Sequence, residues 1–139
     1  MNRMLKNIRS VHNLPFYPFK VAAGFPSPAD DHLEESIDLI KCMVHRPAST
    51  FVMQVTGESM KDASIADGDY VVVDRSITPK AGHIVVASLN GEITLKYFIQ
   101  RNNRYYLSPA NTDYLPIALN EDNPPEMFGV VTGVFRLYG

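Results

Sequence analysis

Short β-branched runs separated by turn residues constrain this chain more than any other feature. Tyr70-Val71-Val72-Val73-Asp74 stands behind the turn Asp67-Gly68-Asp69. Ile84-Val85-Val86-Ala87-Ser88 leads into Asn90-Gly91, the pair that best fits the two positive φ angles of a tight hairpin turn, and Glu92 to Phe98 returns from it. Phe51 to Val55 precedes these runs, and Arg104 to Ser108 and Phe128 to Arg136 follow them. Each run is too short for a helix and is rich in residues that pack on a pleated surface. The pattern predicts a mainly β fold, a single compact β-domain over residues 31–139.

Before residue 31 the chain reads differently. Pro15, Pro18, Pro26 and Pro28 each fix φ and remove a backbone donor, and Arg3, Lys6, Arg9 and Lys20 make residues 1–22 basic without a single acid. Such a stretch supports neither a continuous helix nor a central strand, so residues 1–30 are expected to form an extended N-terminal arm. One short helix is expected after it, capped by Asp38 and ended before Pro47, with Leu39, Cys42 and Val44–His45 on its apolar side.

A length of 139 residues is one domain with an arm, and 45% hydrophobic residues can build a core. A net charge of −2 argues against nucleic-acid binding through a basic surface. No apolar run approaches the roughly 20 residues that span a bilayer, and the basic start lacks the apolar stretch of a secretory signal. A cytoplasmic protein without a membrane contact is the expectation. The single Cys42 excludes an internal disulfide; beside His45, without a second cysteine or a His pair, it reads as a buried structural thiol and not a metal ligand. No metal or other cofactor is expected. Tyr97, Tyr105 and Tyr106 have no basic stripe beside them and read as sheet packing, and His83 reads as a solvated turn residue.

Two residues carry possible chemistry. Ser59 follows Gly57 in Val55-Thr56-Gly57-Glu58-Ser59-Met60, where a turn at the end of an apolar strand can expose a hydroxyl. The backbone N–H groups of Ser59 and Met60 are candidates to face a developing oxyanion there. Lys96 lies in the strand returning from Asn90-Gly91, on one face with Thr94 and Phe98. Removed from water, a lysine loses its proton more readily and becomes a general base for a serine. Residue types alone leave open a turn serine and a surface lysine.

The ordered boxes narrow the choice. Gly57-Glu58-Ser59-Met60, Ile65 to Asp74, Gly82-His83-Ile84-Val85-Val86-Ala87 and Gly91 to Lys96 resemble the LexA/UmuD family of self-cleaving repressors and mutagenesis proteins, from about Val21 to Arg136. The resemblance implies a serine endopeptidase with Ser59 as nucleophile and Lys96 as general base, cutting its own chain between Ala23 and Gly24. Small residues suit that role because they let the backbone approach closely, although an Ala/Gly pair is also an ordinary flexible hinge. Ala23 is the choice of the repressor branch, where the mutagenesis branch carries cysteine. Only 23 residues precede Gly24, too few for the helix-turn-helix domain of the repressors, so the mutagenesis branch fits better and no sequence-specific DNA binding is expected.

That branch implies a role in the SOS response to DNA damage. It implies a homodimer, stimulated to cut itself by the RecA–single-stranded-DNA filament and then joined to a UmuC-type error-prone polymerase for translesion synthesis. Two other readings share parts of the pattern: a non-catalytic β-type interaction module, and a soluble relative of signal peptidase, which also has a Ser-Met box and a strand lysine.

Overall fold

The computed structural model describes residues 13–25, 34–122 and 124–139. The basic start of the arm and its Pro26 and Pro28 lie outside them. The chain divides into two compact units, Met1–His45 and Arg46–Gly139.

In the first unit, β1 (Leu14–Phe16) and β2 (Glu35–Ile37) pair antiparallel as a two-stranded sheet, with Pro15 opposite Ser36. Neither strand was expected. A proline is tolerated there because an isolated ribbon has a free edge on either side. The helix α1 (Leu39–Met43) starts where the sequence placed it, with the Asp38 carboxylate accepting the Lys41 N–H at 3.1 Å. It is only five residues long, and Pro47–Ser49 forms a separate 3-10 turn. Cys42 is exposed, which corrects the expectation of a buried thiol: so short a helix has no buried face to put it on.

The second unit is a seven-stranded antiparallel sheet. Its strands are β3 (Thr50–Gln54), β4 (Tyr70–Asp74), β5 (Ile84–Leu89), β6 (Glu92–Arg101), β7 (Arg104–Ser108), β8 (Ile117–Ala118) and β9 (Glu126–Phe135), in the order β3-β4-β9-β5-β6-β7-β8. The fold is mainly β, as the turn-punctuated runs required. Asn90 (φ 53°) and Gly91 (φ 80°) close the β5–β6 hairpin, and Asn102 (φ 51°) with Asn103 (φ 63°) closes β6–β7 in the same way. Asparagine adopts these angles because its short amide bonds the nearby backbone.

The central strands read as unbroken apolar runs because both of their faces are covered. Val86 joins Met60, Ile65, Val71 and Val73 in one core, while its neighbours Val85 and Ala87 turn to Leu107 and Val130 in another. Strand β9 threads between β4 and β5, with a register shift against each. The shift against β5 falls beside Gly129, whose missing side chain lets β9 lie close to β4: a Cβ there would lie 2.7 Å from Val73 Cγ1 and 2.9 Å from the Asp74 carbonyl oxygen.

Candidate active site

The site is built on the turn after β3. The β-ladder ends at Gln54, and two further backbone bonds, Val55 N–H to Asp69 O at 2.7 Å and Gly68 N–H to Val55 O at 2.8 Å, hold the chain beside the Asp67-Gly68-Asp69 turn. Gly57 then takes φ +95°, a conformation that an L side chain resists, and its N–H donates to Asp67 Oδ1 at 2.7 Å. This reversal lifts Ser59 out of the strand direction. Met60, next to it, is 2% exposed and sits in the core, an anchor worth about 1.5–3 kcal/mol of apolar burial. The 3-10 turn Lys61–Ala63 follows, ended by Ser64 in the left-handed region. Ser59 is thus held between a glycine reversal and a buried methionine.

Lys96 arrives from β6, where it pairs in register with Val85 of β5. Its Nζ lies 3.0 Å from Ser59 Oγ, 2.8 Å from Thr94 Oγ1 and 3.1 Å from the Leu95 carbonyl oxygen. Burial pushes the Lys96 amine below the ordinary lysine value of 10.5. Among the described residues the ion pairs are Arg46–Asp74 and Arg136–Asp69, so no carboxylate there offsets that effect. The three partners satisfy both protonation states. An ammonium donates to all three oxygens, while a neutral amine gives its two N–H groups to Thr94 and Leu95 and turns its lone pair to the Ser59 hydroxyl. Sequence separated Ser59 from Lys96 by two strands; the sheet brings them together.

A cavity of about 210 Å³ opens beside the pair, floored by Met53, Val71, Val86 and Leu95 and bounded by Ser59 and Lys96. Among the described residues the N–H groups of Ser59 and Met60 donate to no other group. Ala23 and Gly24 belong to the first unit, where both are exposed bend residues with Val21 (88%) and Phe25 (94%) bare beside them.

Sequence reasoning placed Thr94 on the face of Lys96 but gave it no part in holding the amine. It gave no sign of Asn111, 6% exposed, whose side chain reaches back to the Ser59 turn. Nor did it show that Asp69 is buried with its carboxylate on Arg136, at 2.6 and 2.7 Å. These ties are long-range, and nothing in the local pattern announces them. His83 has a structural part as well: its Nδ1 accepts the Lys80 N–H at 3.1 Å and closes the turn before β5. Among the described residues no group of three or more His, Cys, Asp or Glu could hold a metal ion, and no helix is long and apolar enough to cross a membrane.

The fold and its relatives place the chain in the serine peptidase class. Residues 15–132 match the family described as Peptidase S24-like. Protein MucA of Salmonella typhimurium is 42% identical over 123 residues, covering 88% of this chain and 84% of that protein. Protein ImpA of Shigella flexneri is 41% identical over 122 residues, covering 88% and 83%. The LexA repressor of Sorangium cellulosum is 36% identical over 119 residues, 84% of this chain but 52% of the repressor. The chain belongs to the Peptidase S24-like family, as a UmuD-like member of its LexA/UmuD group.

Proposed function

We propose that this chain is an SOS-response mutagenesis protein that cuts its own Ala23–Gly24 bond with Ser59 and Lys96. The observation that carries the reading is the 3.0 Å approach of Lys96 Nζ to Ser59 Oγ, made by an amine that burial drives toward its neutral form. Neutral Lys96 takes the hydroxyl proton as Ser59 Oγ attacks the Ala23 carbonyl carbon. The Ser59 and Met60 N–H groups receive the oxyanion, being committed to no other described group. Lys96, now charged, returns the proton to the Gly24 nitrogen as the peptide bond breaks. Water, deprotonated by Lys96 in turn, then attacks the serine ester, and Lys96 returns that proton to Ser59 Oγ as the Ala23 carboxylate leaves.

Membership of the LexA/UmuD family supports the rest. The RecA–single-stranded-DNA filament stimulates cleavage, and the product acts as a homodimeric accessory subunit of a UmuC-type translesion polymerase in the cytoplasm. On this reading residues 1–30 are the substrate arm and 31–139 the peptidase and dimerisation domain.

Incubation of the full chain near pH ~10, where even an ordinary lysine is partly neutral, should shorten it by its first 23 residues in a mass spectrum. Ser59→Ala and Lys96→Ala should stay intact. An uncut wild type, or cutting undiminished in either variant, sinks the mechanism and leaves the non-catalytic β-module as the better account. Cleavage of an added secretory precursor would point to the signal-peptidase relative instead.

A further inference from the structure

The loop between β7 and β8 grips the Ser59 turn on both sides. Asn111 Nδ2 donates to the Glu58 carbonyl oxygen at 2.8 Å, just before Ser59. The Asp62 N–H donates to the Ala110 carbonyl oxygen at 2.7 Å, just after Met60. The gripping loop is itself fixed. Asn111 Oδ1 accepts the Asp113 N–H at 2.9 Å, its carbonyl accepts the Tyr114 N–H at 3.1 Å, and Ala110 packs against the core that holds Met60. The network also fixes which way the Asn111 amide faces. Reversed, it would set oxygen against the Glu58 carbonyl and N–H₂ against the Asp113 N–H.

The Glu58 carbonyl and the Ser59 N–H are two ends of one peptide unit. The described chain has no cis peptide bond, so in this unit they point in opposite directions. Fixing the carbonyl therefore aims the N–H. The same oxygen also accepts the Lys61 N–H at 3.2 Å, but that bond lies within the turn and would move with it. The Asn111 amide ties the unit to a different part of the sheet. Burial at 6% exposure makes the tie costly to break, since each partner would be left with an unsatisfied polar group.

We propose that Asn111 is a positioning residue for self-cleavage, holding the Glu58–Ser59 peptide so that the Ser59 N–H faces the oxyanion formed on Ala23. The inference rests on the self-cleavage reading above. Asn111 touches neither Ser59 Oγ nor Lys96, so its loss should slow the reaction without changing the proton the reaction waits for.

The test is the rate of self-shortening of the full chain as a function of pH in wild type, Ser59→Ala, Asn111→Asp and Asn111→Ser. Asn111→Asp keeps the shape and the acceptor for the Asp113 N–H but turns a carboxylate oxygen toward the Glu58 carbonyl. Asn111→Ser is smaller, offers a hydroxyl to one partner at a time and adds no charge, so it carries the pH midpoint and, if thermal melting shows that the aspartate variant does not fold, the rate as well. Removing an oxyanion donor outright costs a reaction about 10²–10³-fold, so misaiming one should slow cleavage about 10- to 100-fold. The pH midpoint of Asn111→Ser should stay at the wild-type value, because no charge near Lys96 changes, whereas the added carboxylate of Asn111→Asp favours the ammonium and should move its midpoint up. A folded variant cutting within about threefold of wild type overturns the proposal. So does a slowed Asn111→Ser whose midpoint moves, which would mean that the loop acts through Lys96 or through general loosening. If the wild type is cut and Ser59→Ala is not, such a failure belongs to Asn111 alone; if the wild type stays intact at every pH, the self-cleavage reading falls and takes this one with it.

Discussion

A lysine that is to accept a serine's proton must spend part of its time neutral, and burial of Lys96 supplies that condition. The oxygens around it oppose burial, because a hydrogen bond to a charged donor is worth about 1.5–3 kcal/mol against 0.5–1.5 for a neutral one. Thr94 Oγ1 at 2.8 Å is the shortest of the three contacts and therefore both orients the amine and favours its protonated form. Thr94→Val keeps the branched shape and removes the oxygen. Two effects are expected in the pH profile of self-shortening: the midpoint moves to lower pH, and the high-pH plateau falls about tenfold, the cost of one orienting hydrogen bond. A plateau loss with a midpoint moved upward would show that Thr94 does not stabilise the ammonium. The sequence showed the Ser-Met box, the hairpin lysine and the shared face of Thr94 and Lys96, since each follows from local spacing. It could not show that these groups meet, nor that Asn111 stands behind them, because both facts depend on how β6 and the β7–β8 loop approach the β3 turn.

At the level of elements, the strands that sequence reasoning found are those whose burial or turn chemistry is local. Strands β4 and β5 are apolar on both faces, and β5, β6 and β7 are joined by turns whose Asn and Gly residues take positive φ. Strand β6 runs to Arg101, past the expected Phe98, because its hydrogen bonds to β7 continue to Arg104 whatever the side chains are. Strands β1, β2 and β8 were missed. They are two or three residues long and mostly exposed, so no periodicity can develop. The close pairing of β9 with β4 also leaves little trace in sequence beyond one glycine. A methyl group at Gly129 would meet the Asp74 backbone at 2.9 Å, and backbone cannot swing aside as a side-chain end does. Gly129→Ala should therefore destabilise the sheet by about 1–3 kcal/mol, the usual cost of overpacking, read as a lower urea midpoint at unchanged slope. Gly24→Ala, with open space around its position, serves as the control and should leave the midpoint where it was.

Across the molecule as a whole, two buried carboxylates make the second unit sensitive to acid. Asp69 is 1% exposed and is held down to about 2 from 3.8, first by its bond to Arg136 and then by the Ala66 N–H. It joins the start of β4 to the chain just after β9, beside the Ser59 turn. Asp74, at the other end of β4, is held well below the usual carboxylate range by the Ser76 and Ser49 hydroxyls and the Ser76 N–H, with Arg46 contributing less. A carboxyl group more acidic in the fold than in the open chain stabilises the fold while ionised. That stability is complete above 3.8 and is lost as pH falls toward about 2 for Asp69. The urea midpoint should accordingly be nearly flat from neutral pH down to mild acid, then drop between about pH 4 and pH 2. Arg136→Gln removes the leading cause for Asp69 and leaves the Ala66 N–H and burial, which act in opposite directions, so the carboxyl moves back toward its ordinary 3.8. The variant's midpoint should be lower at neutral pH and its acid limb shallower than the wild type's, the two midpoints converging as pH falls toward about 2. Arg46→Gln should flatten the limb much less, because the hydroxyls hold Asp74 more than Arg46 does. A wild-type midpoint flat to pH 2, or an Arg136→Gln limb superimposed on it, would show that Asp69 does not govern the acid response.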